Sequence, residues 1–511
     1  MEQKASETYS RKNVAADIVK KGSVISIITL VSRPIGFVRE AVQAYLFGVT
    51  RPVDAFVVAF NFPELIQNLF FSGATSAFLI PVCTKYLDDD NEYSKLYSTF
   101  INIAIALTIL LSAFLFIFSA PITRFIIAPG FHAPAEQEMT RILFLIMIPV
   151  IAFHTVLSVM KAFLNAKEHF AAPELSGILW SLCFITAAFL FNDKFGIYSL
   201  AIGVTAGAFL QIVMQYPYLR RLNIRYRFVM DLHHPAIYQA KNLLTGALIA
   251  ASAVPINSFV GRQLATTLPP GHVASIAYAF RIFILPASLF AVPGYTVLFS
   301  KISRLYHEKD WRGIFAHLDS SIVLLTITLI PSTILLCSTG DLCIKVIYQR
   351  GAFTPQATEL AAGVLSGYGV GLIFYALSIT FVRAFNAMHD TKTPAVVAVV
   401  SMALNALIAW SLLKPFASMG ISLATSIASF INFVALFVIY KKRTNYKVSR
   451  QAARDIIKSL GAGIVILVLI YITRYLCPGK VYLPLLISAF LTLAIYGAFF
   501  HQYYSLLLRK R

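Results

Sequence analysis

The chain has 511 residues, of which 58% are hydrophobic and 13% are charged, and its mean hydropathy is +0.73. This composition excludes a soluble globular protein, because long apolar stretches of the length that crosses a bilayer fill the sequence. The formal net charge of +20 would suit a nucleic-acid-binding protein, but the distribution of that charge argues against nucleic acid as a partner.

The apolar stretches predict an all-α integral membrane protein with about fourteen transmembrane helices, since each spans about 20 or more residues. They are apolar on nearly all sides, as in a membrane bundle, and they lack the alternation of β-barrel strands. The boundaries carry an uncertainty of about four residues. In chain order the predicted helices cover residues 23–48, 54–84, 96–119, 141–164, 172–191, 197–219, 237–266, 273–300, 318–338, 359–385, 394–413, 418–440, 456–476 and 482–508.

Lysine and arginine are concentrated in alternate connections between the predicted helices. If each helix reverses the side of the membrane, the side of the two termini holds roughly three times as many of these residues as the other. This positive-inside pattern predicts a multi-pass protein with both termini in the cytoplasm. The runs Arg220-Arg221 and Lys441-Lys442-Arg443 are interpreted as topology signals first, with binding to anionic membrane lipids as a secondary effect.

Short sequence matches recur at an offset of about 222 residues, which holds six predicted helices. An even number of helices leaves the second copy in the orientation of the first, so the matches predict two parallel six-helix repeats. The matched segments are Asn165-Ala166 with Asn386-Ala387, Lys161-Ala162-Phe163 with Arg383-Ala384-Phe385, Gly73 with Gly294, and Gly196-Ile197 with Gly420-Ile421. The predicted domains are a cytoplasmic tail at 1–22, an N-lobe at 23–220, a C-lobe at 221–440 with a cytoplasmic linker at 221–236, and a basic linker with two extra helices at 441–511.

Charged side chains lie inside several predicted helices, where an isolated charge costs roughly 2.5–3.5 kcal/mol on insertion scales. They are therefore expected to face a watery cavity or a partner. The helical rise of about 1.5 Å per residue places Arg39, Arg281 and Glu64 at similar depths. Guanidinium groups bind phosphate through paired donors, so such a cavity suits a diphosphate. The candidate substrate-binding residues are Arg33, Arg39, Asp54, Glu64, Arg262 and Arg281.

Other interpretations of these residues stay open. Either Glu40 or Glu64 could neutralise Arg39, and Asp54 and Arg262 could simply lie at the membrane interface. Pro34 and Gly36 predict an interrupted, bendable first helix, because proline removes a backbone donor and glycine loosens the turn. His154 is expected to be a satisfied or cavity-lining histidine, and Asp390 a solvated loop residue.

The function predicted from these features is membrane transport and not enzymatic catalysis. The sequence has no nucleotide-binding loop, zinc cluster or nucleophile–base pair that stands out, and carboxylates are scarce within the predicted spans. In transporters built from such repeats, the substrate site lies between the lobes.

The sequence resembles the MurJ (MviN) family of lipid II flippases along essentially its whole length. The motifs that carry the resemblance are Ser32-Arg33-x-x-Gly36-x-x-Arg39-Glu40, Asp54-Ala55-Phe56-Val57-Val58-Ala59-Phe60, Gly73-Ala74, Phe78-x-x-Pro81, Ala128-Pro129-Gly130-Phe131, Arg350-Gly351-Ala352-Phe353-Thr354, Asp390-Thr391-Lys392-Thr393-Pro394 and Gly420-Ile421-Ser422-Leu423-Ala424. The resemblance implies fourteen helices, arranged as two lobes plus two extra helices, within the MOP superfamily that includes MATE exporters. It also implies transfer of the undecaprenyl-diphosphate-linked peptidoglycan precursor, lipid II, from the cytoplasmic to the periplasmic leaflet of the bacterial inner membrane.

The resemblance further implies that Arg33, Arg39 and Arg281 hold the diphosphate, with Asp54 at the outer mouth of helix 2. Some positions depart from the family pattern and thin the diphosphate clamp: a basic pair is replaced by Gln67-Asn68, an acidic residue by Ser72, and a glutamate by Ile284. Some members carry an acidic sodium site across helices 7, 11 and 12, which contain no Asp or Glu here. We therefore expect no cofactor and transport driven by the membrane potential.

Two alternatives to lipid II transport stay open. The thinner clamp could serve export of another polyprenyl-linked glycan, such as an O-antigen or capsule unit. The protein could also be a non-transporting scaffold for envelope assembly, and cell-wall synthesis proteins are possible partners in either case.

Overall fold

The computed structural model describes residue 28 and residues 32–69, 79–477 and 482–508, with side chains described outside 242–254, 291–297, 300, 485 and 498–508. Every regular element within these ranges is helical, which confirms the predicted all-α class. The described helices of nine or more residues are α1 (32–47), α2 (Arg51–Gln67), α3 (Asp90–Ile117), α4 (Pro134–Ala166), α5 (Ala171–Phe195), α6 (Tyr198–Arg221), α7 (Pro235–Ala265), α8 (His272–Pro286), α9 (Val292–His307), α10 (Trp311–Ser338), α11 (Gly340–Tyr348), α12 (Pro355–Gly369), α13 (Leu372–Ala387), α14 (Lys392–Thr444), α15 (Arg450–Leu476) and α16 (Tyr482–Leu508).

The helices coincide with the predicted apolar stretches wherever those stretches fall on described residues. Among the described residues, eight helices are long and apolar enough to cross a membrane, or nine if the bent pair α12 and α13 forms one span. That pair is bent by 42°. One of the eight, α14, is 53 residues long and contains a break at Ala417, so it holds both predicted helices 394–413 and 418–440. The structure thus confirms a multi-pass helical fold, and the count of fourteen stays a prediction.

The chain divides into two compact units, one of residues 1–46 and 55–255 and the other of residues 47–54 and 256–511. The division falls within α7, and the lobe boundary at 220 stays a prediction. In the first unit α6 packs against α4 and α5, and α4 packs against α3. Phe163 of α4 is fully buried at this last contact, where its ring meets Tyr93 and Tyr97 of α3 at centroid distances of 5.0 and 5.3 Å.

The second unit is organised around α10, α12, α14 and α15. Ile327 and Ile330 of α10 and Ile466 of α15 belong to one buried apolar cluster. Gly463 permits the close approach of these helices, because a Cβ atom there would lie 2.7 Å from the Cδ1 atom of Ile334. Small residues at helix contacts are the usual means by which membrane helices pack tightly, since lipid supplies no hydrophobic driving force.

Left-handed backbone conformations recur at the repeat offset. The pair Glu168 and His389 (φ 57° and 61°) and the pair Asn223 and Asn445 (φ 58° and 56°) are each separated by this offset. Gly196 (φ 52°, ψ −130°) has nearly the same conformation as Ala417 (φ 49°, ψ −131°), which follows it at the same separation. The backbone therefore supports the predicted duplication. It also corrects one sequence match, because the residue equivalent to Gly196 is Ala417 and not Gly420.

Two local expectations were wrong. Residues 32–47 form one continuous helix, so Pro34 and Gly36 do not interrupt α1 within the part of it that the structure describes. Asp390 is not a freely solvated loop residue, because its carboxylate accepts hydrogen bonds from the N–H and hydroxyl of Thr393 (2.9 and 2.7 Å) and pairs with Arg443. Partial burial alone would raise the pKa of Asp390, but these hydrogen bonds outweigh it and lower that pKa below its usual value.

Candidate substrate-binding site

Arg39 is a charged residue enclosed within the first unit. It lies on α1, only 8% of its surface is exposed, and its Nη2 atom lies 2.7 Å from Oε1 of Glu40. Glu40, one of the two carboxylates considered from the sequence, therefore forms a salt bridge with Arg39. The pair offsets part of the cost of burying a cation, since an uncompensated buried charge is strongly destabilising.

An aromatic surface supports the same guanidinium. The Cζ atom of Arg39 lies 4.5 Å from the ring centroid of Trp180 and 5.5 Å from that of Phe184, both on α5. Such contacts contribute about 0.5–2 kcal/mol, and more when water is excluded. The Nε1–H of Trp180 donates to the carbonyl of Val204 (3.1 Å), which fixes the orientation of the ring. The guanidinium is thus held in one plane.

This arrangement suits a phosphate-binding role for Arg39. The guanidinium has five N–H donors in a rigid fork, and one of its hydrogen bonds is to Glu40. A planar group held on an aromatic ring presents its edge to a ligand, and bidentate binding of phosphate uses that edge. Trp180 was not among the predicted site residues, although it is one of only three tryptophans in the chain and lies in the middle of a predicted span.

A second polar cluster in the same unit involves α2 and α4. His154 is buried, and its Nδ1 atom lies 2.7 Å from Oε1 of Gln67, which confirms the expectation of a satisfied histidine. Lys161 lies seven residues further along the same face of α4 and is half-buried. No carboxylate oxygen of a described residue lies within 4.0 Å of its ammonium group. Lys161 is thus a cation within a candidate span that the sequence analysis did not assign to the site.

The remaining predicted residues of the first unit are Arg33 and Glu64. Arg33 is exposed and precedes Arg39 by about 9 Å along α1, on a different face of the helix. Glu64 is half-buried on α2, three residues before Gln67. The predicted grouping of Arg33, Arg39 and Glu64 around one ligand stays a prediction.

In the second unit, Arg281 of α8 is exposed, whereas the next two residues, Ile282 and Phe283, are buried. Arg262 of α7 is half-buried. Exposure of Arg281 on the unit surface leaves it accessible to a ligand or to another surface, and its predicted pairing with Arg39 on a shared substrate stays a prediction.

Asp54 has a distinct structural position. It is fully buried in the first turn of α2, and its two carboxylate oxygens accept the backbone N–H groups of Gly271 (2.6 Å) and Ala274 (2.7 Å). These donors lie at the N-terminus of α8, where unsatisfied N–H groups and the helix dipole favour a carboxylate. Asp54 therefore caps α8 and holds the start of α2 against it; its predicted contact with substrate stays a prediction.

Solved structures resemble this fold closely. A lipid II flippase MurJ in an inward closed conformation superposes with a TM-score of 0.82 and 26% identity, over 95% of this chain and 99% of the other. An inward-facing MATE multidrug resistance transporter of the MOP superfamily superposes with a TM-score of 0.68 at 12% identity, over 80% and 94% of the two chains. The second likeness concerns the fold alone.

Sequence relatives cover nearly the whole chain. A probable lipid II flippase MurJ of Buchnera aphidicola subsp. Baizongia pistaciae is 28% identical over 472 residues, 90% of either chain. The lipid II flippase MurJ of Burkholderia cenocepacia is 26% identical over 454 residues, 86% of this chain and 87% of the relative.

The multi-pass helical fold, the cations within candidate spans and the likeness to a solved flippase indicate a membrane transporter. The family model described as lipid II flippase MurJ matches residues 43–490, most of the chain. The chain therefore belongs to the MurJ lipid II flippase family.

Proposed function

We propose that this protein carries lipid II from the cytoplasmic to the periplasmic leaflet of the bacterial inner membrane by alternating access. The proposal rests on membership of the MurJ family and on likeness to a MurJ structure over nearly the full chain. The observation that carries the chemistry is Arg39, whose guanidinium is held on Trp180 and paired with Glu40. A substrate diphosphate replaces that carboxylate as the partner of the cation.

The exchange of partners is the central step of the proposed mechanism. In the absence of substrate, Glu40 compensates the buried charge of Arg39. A diphosphate offers more acceptor oxygens and more negative charge than one carboxylate, so it displaces Glu40 from part of the guanidinium. Arg281 supplies a second cation for the substrate, and Arg33 and Arg262 add further positive charge. Lys161 adds a further cation on α4, which offsets the thinner clamp at Gln67-Asn68.

The membrane potential drives this transport without a bound cofactor. Both termini lie in the cytoplasm, and the cell interior is negative, so the potential pulls the anionic headgroup outward. Each elementary charge moved gains about 2.3 kcal/mol per 100 mV. The same field returns the emptied cationic site inward.

The test is complementation in a bacterium whose own lipid II flippase can be depleted. The wild-type chain, Arg39→Ala, Arg281→Ala and Arg141→Ala are expressed to equal levels in the membrane. Arg141 is the matched control, because it is a half-exposed arginine paired with Glu138 (2.7 Å) on α4. Growth and the exposure of lipid II on the outer leaflet are measured together after depletion.

We expect the wild type and Arg141→Ala to restore both, and Arg39→Ala and Arg281→Ala to lower lipid II exposure by at least tenfold. Full activity of either cavity variant refutes the proposed site. A wild-type chain that leaves lipid II inside but externalises another polyprenyl-linked glycan supports the alternative flippase. A chain that moves neither, yet whose loss disturbs the envelope, supports a scaffold that recruits cell-wall synthesis proteins.

A further inference from the structure

A basic cavity lies at the end of α6, apart from the candidate substrate-binding site. Its volume is about 340 Å³, within the range of pockets that hold small ligands. The helix is 24 residues long and so spans about 36 Å, which exceeds the roughly 30 Å thickness of the hydrocarbon core. Because the helix is longer than the hydrocarbon core and ends in Arg220 and Arg221, we expect its last turn at the level of the lipid headgroups. The cavity is lined by Tyr216, Arg220, Ile224, Arg225 and Tyr226.

The two arginines of this cavity have no carboxylate partner among the described residues. Nε of Arg220 donates to the hydroxyl of Tyr216 (2.9 Å), and its guanidinium lies 5.0 Å from the same ring. No carboxylate oxygen of a described residue lies within 4.0 Å of Arg220 or Arg225. The acidic groups on the neighbouring segments have other partners: Asp231 pairs with Lys95 (2.9 Å), Glu92 with His234 (2.8 Å) and Asp90 with Lys167 (2.6 Å).

The connection that forms one wall of the cavity is held in place by α3. The hydroxyls of Ser94 and Ser98 accept the backbone N–H groups of Arg225 (3.1 Å) and Arg227 (2.8 Å). The side chain of Asn102 accepts the hydroxyl proton of Tyr226 (2.8 Å) and donates to a carbonyl of the same connection. Side chains along one helix thus fix the connection at successive residues, so the cavity is preorganised for a ligand.

The same connection exposes large apolar side chains beside its arginines. Phe228 is 93% exposed, and Met230 and Leu232 are each more than half exposed. In water such exposure is unfavourable by about 25 cal/mol per Å² of apolar surface. At the boundary between headgroups and acyl chains it is favourable, because apolar side chains enter the acyl region while arginines remain among the phosphates.

We propose that this cavity binds the phosphate of an anionic phospholipid headgroup in the leaflet that borders the end of α6. Arg220 and Arg225 bind the phosphate oxygens through charge-assisted hydrogen bonds, and the hydroxyls of Tyr216 and Tyr226 border the same space. Phe228 contacts the acyl region. Free inorganic phosphate shares the headgroup chemistry but offers nothing to Phe228, which separates the two sources of the ligand.

The test is native mass spectrometry of the full-length protein, stripped of lipid in detergent and titrated with cardiolipin or phosphatidylglycerol. The double variant Arg220→Gln/Arg225→Gln is compared with Arg221→Gln/Arg227→Gln, which removes the same charge from exposed arginines that do not line the cavity. We expect the cavity variant to bind anionic lipid at least fivefold more weakly and the control variant to stay within twofold of the wild type. Thermal unfolding of each variant shows that the fold is retained.

Phe228→Ser provides a second measurement that leaves the cavity charge intact. We expect it to weaken lipid binding without changing the affinity for inorganic phosphate. Equal losses in the cavity and control variants, or equal binding of phosphatidylcholine, would overturn the proposal. Displacement of bound lipid by inorganic phosphate at the same concentration would identify free phosphate as the ligand and would also overturn it.

Discussion

Arg39 illustrates how one buried cation is stabilised by several weak partners. A hydrogen bond to a charged group contributes about 1.5–3 kcal/mol and a cation–π contact about 0.5–2 kcal/mol, which together compare with the cost of placing the charge in the bilayer. The contact with Trp180 needs no carboxylate, so it persists when Glu40 is displaced by a phosphate. Because Trp180 holds the guanidinium in place, its anionic partner can change from Glu40 to a phosphate.

The sequence predicted some residues of the candidate site and missed others. Arg39 was predicted as a site residue, and Glu40 as one of two alternative partners for it, because charge inside an apolar stretch is visible in the sequence itself. Trp180 was missed because an aromatic residue in a span is usually a packing residue, and nothing in the sequence places α5 against α1. The cap formed by Asp54 was missed because its partners are backbone N–H groups more than two hundred residues away.

Asp54→Ala is expected to destabilise the protein by about 2–4 kcal/mol. The change removes a helix cap and leaves the N–H groups of Gly271 and Ala274 buried without an acceptor. Asp54→Asn, which keeps one acceptor oxygen, is expected to lose less. Unfolding in detergent, followed by circular dichroism against temperature, measures both variants.

The matched control for this prediction is Asp310→Ala. Asp310 caps α10 through the N–H of Gly313 (2.9 Å), but it is exposed, so water replaces the lost hydrogen bond. Its loss is expected to cost about 1 kcal/mol or less. A loss for Asp54→Ala no greater than that of the control would contradict the assigned cap.

At the scale of elements, the break within α14 is the most informative feature. Ala417 has the same backbone conformation as Gly196 at the start of α6, although only glycine adopts it without strain. The sequence predicted two helices there because apolar stretches flank the break. It could not predict the conformation at Ala417, because alanine at that position carries no turn signal.

Ala417→Gly is expected to stabilise the protein by about 1 kcal/mol, because glycine relieves the strain of a left-handed residue. Thermal unfolding in detergent is the measurement. Ala403→Gly, at an exposed position in the regular part of the same helix, is expected to destabilise by about 1 kcal/mol. The opposite signs distinguish a strained turn from a general effect of glycine, and equal signs would show that Ala417 is not strained.

The loop between α13 and α14 is expected to make stability depend on pH. The folded pKa of Asp390 lies below its unfolded value of about 3.9, so its stabilising contribution is fully present above that pH. The contribution is lost as the pH falls through the lowered folded pKa. Unfolding temperatures should therefore differ between the wild type and Asp390→Asn at pH 7 and converge as the pH falls through the lowered pKa of Asp390.

Glu308→Gln is the control for this titration. Its carboxylate pairs with Arg304 (2.9 Å), but both side chains are at least half exposed, and such surface pairs contribute little to stability. Its unfolding temperature should follow that of the wild type at every pH. A difference between the wild type and Asp390→Asn that does not change with pH would exclude Asp390 titration as the cause.

At the scale of the whole molecule, composition and charge distribution predicted the class of protein. They could do so because the bilayer constrains any spanning sequence: its helices need a minimum apolar length, and Lys and Arg concentrate on the cytoplasmic side. The division into two compact units was harder to predict, because it falls within α7, and a long helix shared by two units has no break in its apolar pattern.

The positive-inside distribution predicts that both termini lie in the cytoplasm. A green fluorescent protein fused after Arg511 should therefore fluoresce, and alkaline phosphatase at the same position should be inactive, because it folds only after export. Phosphatase inserted in the connection at 128–133, between α3 and α4, should be active. The reverse pattern would invert the topology and with it the direction in which the membrane potential acts.

Left-handed residues recur at equivalent positions in both halves, and this bears on which substitutions each position tolerates. At two of these places the residues differ, with Glu168 against His389 and Gly196 against Ala417, yet the chain bends alike. The backbone conformation at these positions is thus the same in both halves although the residue types differ. We therefore expect a substitution that is tolerated at one left-handed position to be tolerated at the equivalent position of the other half. Mutagenesis of one half would then guide the engineering of the other.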